Sequence, residues 1–157
     1  MKSIFLLFSL LTSCIVGTSQ SYVYEGDNLF PSDVLLNITN GYIAEGYSRS
    51  WTDVIITVSQ GKIFEGYSTS TFDLLYTYED GQLFYEDSDF SSDILYTYYK
   101  NKIYTGDSKM SLDVLFTYKN GKIYTGDSDI VFDLLYTIEG NPKPEEVFGV
   151  LLALGEL

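Results

Sequence analysis

The chain contains no histidine, so it lacks the commonest general base and the commonest metal ligand. Basic side chains are scarce: 9 Lys and Arg stand against 22 Asp and Glu, a formal charge of −13. Phosphate backbones are bound by clustered Lys and Arg, which are missing here, so nucleic acid is excluded as a partner. The same charge argues against docking on anionic lipid head groups. Cys14 is the only cysteine and Trp51 the only tryptophan. No internal disulfide can form, and stability must come from packing. What the chain has in quantity is Tyr (15) and Phe (10), which favour strands and aromatic packing. Its 157 residues suffice for one domain with a real core.

The first residues differ from the rest. Lys2 precedes the apolar run Ile4–Leu11, and small residues follow. A charged start, a short apolar core and a small-residue exit are the layout of a secretory signal peptide. The run is too short to cross a bilayer as a helix. We therefore expect a leader over residues 1–20 and a single domain over residues 21–157. The stretch "LTSC" (Leu11 to Cys14) resembles the bacterial lipobox, in which the cysteine is lipidated. The alternative is ordinary cleavage near Thr18–Gln20, which removes Cys14. Both routes lead to an exported protein, whether periplasmic, secreted or lipid-anchored at the cell envelope.

Beyond the leader the chain repeats itself. Asp33, Asp53, Asp73, Asp93, Asp113 and Asp133 recur every twenty residues without insertion. The repeats occupy residues 22–41, 42–61, 62–81, 82–101, 102–121 and 122–141, and an apolar tail follows over 142–157. Each holds two β-prone stretches, such as "DVLFTY" (Asp113 to Tyr118) and "KIYTG" (Lys122 to Gly126). Between them lies Asn120-Gly121, the strongest short-range signal for a two-residue hairpin. Asn40-Gly41, Gln60-Gly61, Asp80-Gly81, Lys100-Asn101 and Gly140-Asn141 are the equivalent junctions. Each offers a Gly or Asn, which tolerate positive φ.

That turn sets a register in which Tyr118 opposes Ile123, Phe116 opposes Thr125, Leu115 opposes Gly126 and Asp113 opposes Ser128. One face then carries Val114, Phe116, Tyr118 and Ile123; the other carries Leu115, Thr117 and Tyr124. Both are largely apolar, so each hairpin should be covered on both sides. The recurrent glycine at Gly26, Gly46, Gly66, Gly106 and Gly126 reads as room beside the facing Leu, or as a bulge.

Three architectures take such a unit. A propeller blade needs about forty residues and fits poorly. A β-solenoid would stack the repeated Asp residues about 4.8 Å apart, where carboxylates repel by about 1 kcal/mol in water and more in drier surroundings. Hairpins placed radially around an axis avoid that repulsion. Tandem Tyr/Gly hairpins behind a leader, closed by an apolar tail, resemble the β-flower proteins over Tyr22 to Leu157. The resemblance implies petals around a shallow barrel, with the C-terminal segment entering it, and little biochemistry. A weaker likeness is to MORN repeats, through "YKNGKIYTG" (Tyr118 to Gly126). Choline-binding repeats share the period but rely on paired tryptophans. The expected fold is thus all-β, six hairpin repeats closed radially, plugged by a short apolar helix.

The repeated Asp residues read as structural, held by turn amides or by a cross-strand serine: Asp53 with Ser68, Asp73 with Ser88, Asp93 with Ser108. The rival reading is calcium, with Asp107, Asp127 and Asp129 as further oxygen ligands. Glycoside hydrolysis needs two carboxylates in different environments, and equivalent copies supply none, so no catalytic residue is expected. The tyrosines of the repeat read as core. Trp51 and Phe90, at variable positions, are the better candidates for stacking on a sugar. In the tail, Pro144, Glu145 and Glu146 suit a helix start, and Val147 to Leu154 is apolar all round, so that helix must be buried. The functional expectation is an exported, non-enzymatic structural or binding module of the envelope, monomeric and without a cofactor. An extracellular carbohydrate- or calcium-binding module is the alternative, and a small hydrolase a remote third.

Overall fold

The computed structural model describes residues 20–157. The proposed leader, apart from Gln20, and the lipidation candidate Cys14 lie outside the described residues. Twelve strands form one closed antiparallel barrel in which sequence neighbours are also sheet neighbours. They are β1 (Gln20–Glu25), β2 (Val34–Thr39), β3 (Tyr42–Glu45), β4 (Val54–Ser59), β5 (Lys62–Glu65) and β6 (Leu74–Glu79). The rest are β7 (Gln82–Tyr85), β8 (Ile94–Tyr99), β9 (Lys102–Thr105), β10 (Val114–Lys119), β11 (Lys122–Thr125) and β12 (Leu134–Glu139). One helix, α1 (Pro144–Ala153), ends the chain. Short 3-10 turns, such as Trp51–Asp53, interrupt the longer connections, which we call petals. In an up-and-down barrel alternate connections lie at opposite ends. All hairpin turns therefore sit on one rim, and all petals on the other.

The hairpin register is the expected one: Phe116 faces Thr125, Tyr118 faces Ile123, and Lys119 faces Lys122 around Asn120-Gly121. Both turn residues have positive φ, 54° and 76°, as a two-residue hairpin turn of the primed type requires. Gly121 carries a second constraint that the repeat alone does not reveal. A Cβ added there would lie 2.7 Å from the carbonyl oxygen of Ile138 on the neighbouring hairpin. Gly121→Val should therefore cost about 2 kcal/mol or more, from wrong φ and backbone collision together. An unchanged denaturant midpoint would contradict this.

Three expectations need correction. Gly140-Asn141 is not a hairpin turn. The sixth hairpin joins the two ends of the chain: Tyr22 faces Glu139, Val23 faces Ile138, and Tyr24 faces Thr137, the register seen between β10 and β11. Second, the pairing of β9 with β10 shifts between Val114 and Phe116. This bulge at Leu115 turns that side chain onto the core, while Val114 is buried outside the core cluster. Third, the glycine at Gly126 answers to conformation and not to crowding. Its φ is +63°, and an added Cβ would meet nothing within 4 Å. Its N–H donates to the Leu115 carbonyl at 2.7 Å, and its own carbonyl accepts from Thr117 Oγ1 at 2.8 Å. Thr137 makes the same bond to Gly26 across the split hairpin, at 2.6 Å.

Inside, Val23, Ile43, Ile63, Leu83, Ile103 and Ile123 form a fully buried belt, one residue per hairpin. The next layers are uneven: Leu36, Ile38, Ile56, Val58 and Ile138 on one side, Tyr76, Tyr78, Tyr96, Tyr98 and Tyr118 on the other. The helix fits this asymmetry. Gly149 lies against Ile43, Ile56 and Val58, where only a bare backbone can approach closely. Phe148 points the other way, its ring centroid 5.7 Å from Tyr78 and 6.4 Å from Tyr96. Val147, Phe148, Val150 and Leu151 are wholly buried, so the tail is the plug expected of it.

Several tyrosine phenols are held above their ordinary value of 10.0. Burial and then Glu145 push Tyr78 up to about 12. Burial and a hydrogen bond to Glu156 do the same for Tyr136, whose hydroxyl donates at 2.6 Å. Burial, followed by its bond to Glu139, raises Tyr24 further still. Phenols raised in the fold stabilise it fully below the unfolded value of 10.0, and the contribution fades as pH climbs through the folded value near 12. The melting temperature should fall steeply between those limits. A flat profile would show that these hydroxyls are already free.

Candidate functional site

The petals are joined in a ring by contacts between a strand residue and a loop residue 25 positions onward, except at the closure, where Lys122 reaches back 95 positions to Asp27. Four of the six joints are polar. Lys62 binds Asp87, Gln82 donates to Asp107 at 2.7 Å, Lys102 binds Asp127, and Lys122 binds Asp27 at 2.6 Å. The other two are aromatic: Tyr22 on Tyr47 and Tyr42 on Tyr67, each with centroids 4.9 Å apart. Exposed ion pairs add at most about 1 kcal/mol each, so these joints fix the spacing of petals more than they stabilise the barrel.

The calcium candidates fall within this network. Asp107 and Asp127 are joint residues, and Asp129 is held by Lys119 at 2.6 Å. Among the described residues no group of three or more carboxylates or cysteines is placed to hold a metal. The repeated Asp residues do find serines, but not the cross-strand ones. Ser48, Ser68, Ser88, Ser108 and Ser128 each donate to the Asp five residues later: Asp53, Asp73, Asp93, Asp113 and Asp133. The strands diverge at the petal, and the Asp closing each 3-10 turn folds back over its own loop. Asn28 occupies the serine position of the first petal, where Asp33 instead accepts from Ser32 at 2.7 Å.

Petal tips carry exposed apolar side chains around one rim: Phe30, Trp51, Phe72, Phe90, Leu112 and Phe132. The frame residues beneath them repeat, while the tips vary. Trp51 and Phe90 are not brought together, because the petal of Phe72 stands between them. Phe90 projects from its tip and lines none of the principal hollows.

Trp51 instead overlooks a cleft of about 470 Å³ on the outer wall of β1, β2 and β3. The cleft exists because one column of the repeat fails there. Tyr24, Phe64, Phe84, Tyr104 and Tyr124 pack beneath the other petals, but the second copy has Ala44. Asn37 replaces the recurrent threonine, and its amide donates to the carbonyls of Gly46 and Ser48 at 2.8 and 2.9 Å. The aromatic joint forms one wall, with Tyr67 6.5 Å from Trp51, and the neighbouring Tyr67 hydroxyl raises the Tyr42 phenol above its ordinary range. Arg49, the chain's single arginine, stands at the mouth. Gln20, Thr39, Ser48 and Ser50 complete the polar edge. None of the acidic side chains lines this cleft. The sequence pointed to Trp51 alone; Ala44, Asn37 and Arg49 were visible only as breaks in the columns of the repeat.

A ring of hairpins closed by both chain ends and plugged by its own tail defines a radial hairpin-repeat barrel. The chain belongs to the six-fold β-flower family: the model of the "6-fold beta flower protein" matches residues 23–148, from within the closing strand to the middle of the plug. No curated protein and no solved structure is significantly similar to it.

Proposed function

We propose that this protein is an exported, non-enzymatic binding module whose Trp51 cleft holds a saccharide. The observation that carries the reading is the exposed tryptophan beside Tyr67, set over a hollow that opens where Ala44 replaces an aromatic residue of the repeat. An aromatic face covers the apolar face of a sugar ring, while amide and hydroxyl edges meet its hydroxyls. The barrel supplies rigidity, which limits the ordering cost of binding. The family description names no reaction, which supports a non-catalytic role. The pattern of Lys2 followed by Ile4–Leu11 supports export.

A glycan array probed with the protein and with Trp51→Ala tests this. The expected result is a set of bound glycans that Trp51→Ala loses by about tenfold or more, since a central aromatic contact is worth about 1.5 kcal/mol or more. Binding that is indifferent to Trp51→Ala, or no binding at all, would overturn it.

A further inference from the structure

We infer that the saccharide recognised in the Trp51 cleft is an acidic one, a uronate whose carboxylate is gripped by Arg49. The inference rests on the saccharide reading of the same cleft and adds its charge.

The equivalent petal positions show what an arginine here lacks. Arg49 lies ten residues after Thr39. Ten residues after Lys119 stands Asp129, and the two pair at 2.6 Å. Ten residues after Tyr99 stands Lys109, whose ammonium lies over the Tyr99 ring, 5.2 Å from its centroid. In both petals the strand residue complements the loop residue. Thr39 offers Arg49 no such complement, and among the described residues Arg49 forms no ion pair.

The surroundings point the same way. The chain carries 22 acidic side chains, yet the cleft has none, and Arg49 is its only charge. The other principal hollows each include Asp or Glu in their walls. Among the residues lining the cleft the only formal charge is therefore positive, and the adjacent Asp53 is held by the Ser48 hydroxyl. The remaining charge is screened beyond roughly 8 Å at physiological salt, so it does not bar a single carboxylate from the cleft. A guanidinium presents a planar fork that fits a carboxylate with two parallel hydrogen bonds. Trp51 and Tyr67 can then cover the ring that bears it, with Gln20 and Ser50 at hydrogen-bonding edges of the same hollow.

Calorimetric titration separates this from the broader reading. The probes are trimers of galacturonate, glucuronate and mannuronate, each with its neutral galactose, glucose or mannose counterpart, and acetate as a control. At least one uronate trimer should bind about tenfold or more tightly than its neutral counterpart, as a charge-assisted pair predicts. Arg49→Gln should weaken the uronate trimer far more than its neutral counterpart, so that the preference disappears, and Arg49→Lys should restore part of it. Equal affinity for the two members of every pair, or an Arg49→Gln variant that keeps its uronate preference, overturns the acidic ligand. Neutral trimers binding alone would do so while sparing the saccharide reading. Failure of every trimer sinks both, and acetate binding as tightly as a uronate trimer leaves only an anion site.

Discussion

Cutting the chain after Asn141 should lower stability by several kcal/mol and expose apolar surface that binds a reporter dye. Four side chains of α1, Val147, Phe148, Val150 and Leu151, are fully buried. Each is worth about 1.5–3 kcal/mol of burial at most, and the denatured chain retains some of that. Their loss also uncovers Ile43, Ile56 and Val58, which now face Gly149. Whole domains are stable by only about 5–15 kcal/mol, so the truncated barrel should melt early or not fold cooperatively. If the tail served instead to enter a membrane or a partner, removing it would leave the melt unchanged. At ten residues α1 is about 15 Å long, half a bilayer core. Among the described residues no helix is long and apolar enough to cross one. Thermal melts of the two chains decide between these roles.

Removing residues 1–25 should be more damaging. It deletes β1, and with it half of the sixth hairpin, leaving β2 and β12 as open edges. The buried Val23 and Tyr24 are lost, and Gly26, left as the new N-terminus, is no longer anchored by β1 to accept from Thr137. Two unpaired edges on an apolar barrel invite pairing between molecules. The expected outcome is loss of the folded monomer, read by size-exclusion chromatography as aggregate or as a strand-paired oligomer. A stable monomer with an unchanged circular dichroism spectrum would show that closure through β1 is dispensable.

How much of this could be read from the chain depends on whether the cause is local. Asn120-Gly121 announces its turn because positive φ is a property of those two residues, and the register of Phe116 and Tyr118 follows from it. The tail announced its burial because Val147 to Leu154 offers no polar face. Gly140-Asn141 misled because it has the composition of a turn, while its fate depends on strand β1, more than a hundred residues away. The bulge at Leu115 misled because strict alternation cannot see an inserted residue. The Asp–Ser partnership was legible in kind but not in direction, since either serine lies a plausible distance along the chain. The joints were written in the columns, with Tyr22 and Tyr42 matched to Tyr47 and Tyr67, and Lys62, Lys102 and Lys122 matched to acids. The cleft was written there too, as a missing aromatic at Ala44. A gap of that kind acquires meaning only once the neighbouring Trp51, Tyr67 and Arg49 are seen around it.

Because Trp51 is the only tryptophan, its emission reports on the cleft and on nothing else. Titrating the protein with a glycan that binds it, and following that emission alongside calorimetry, measures occupancy of the proposed site directly. A saturable change in intensity or wavelength is expected, with a midpoint that matches the calorimetric Kd. Calorimetric saturation with no change in Trp51 emission would place the ligand elsewhere on the molecule and contradict the proposed site.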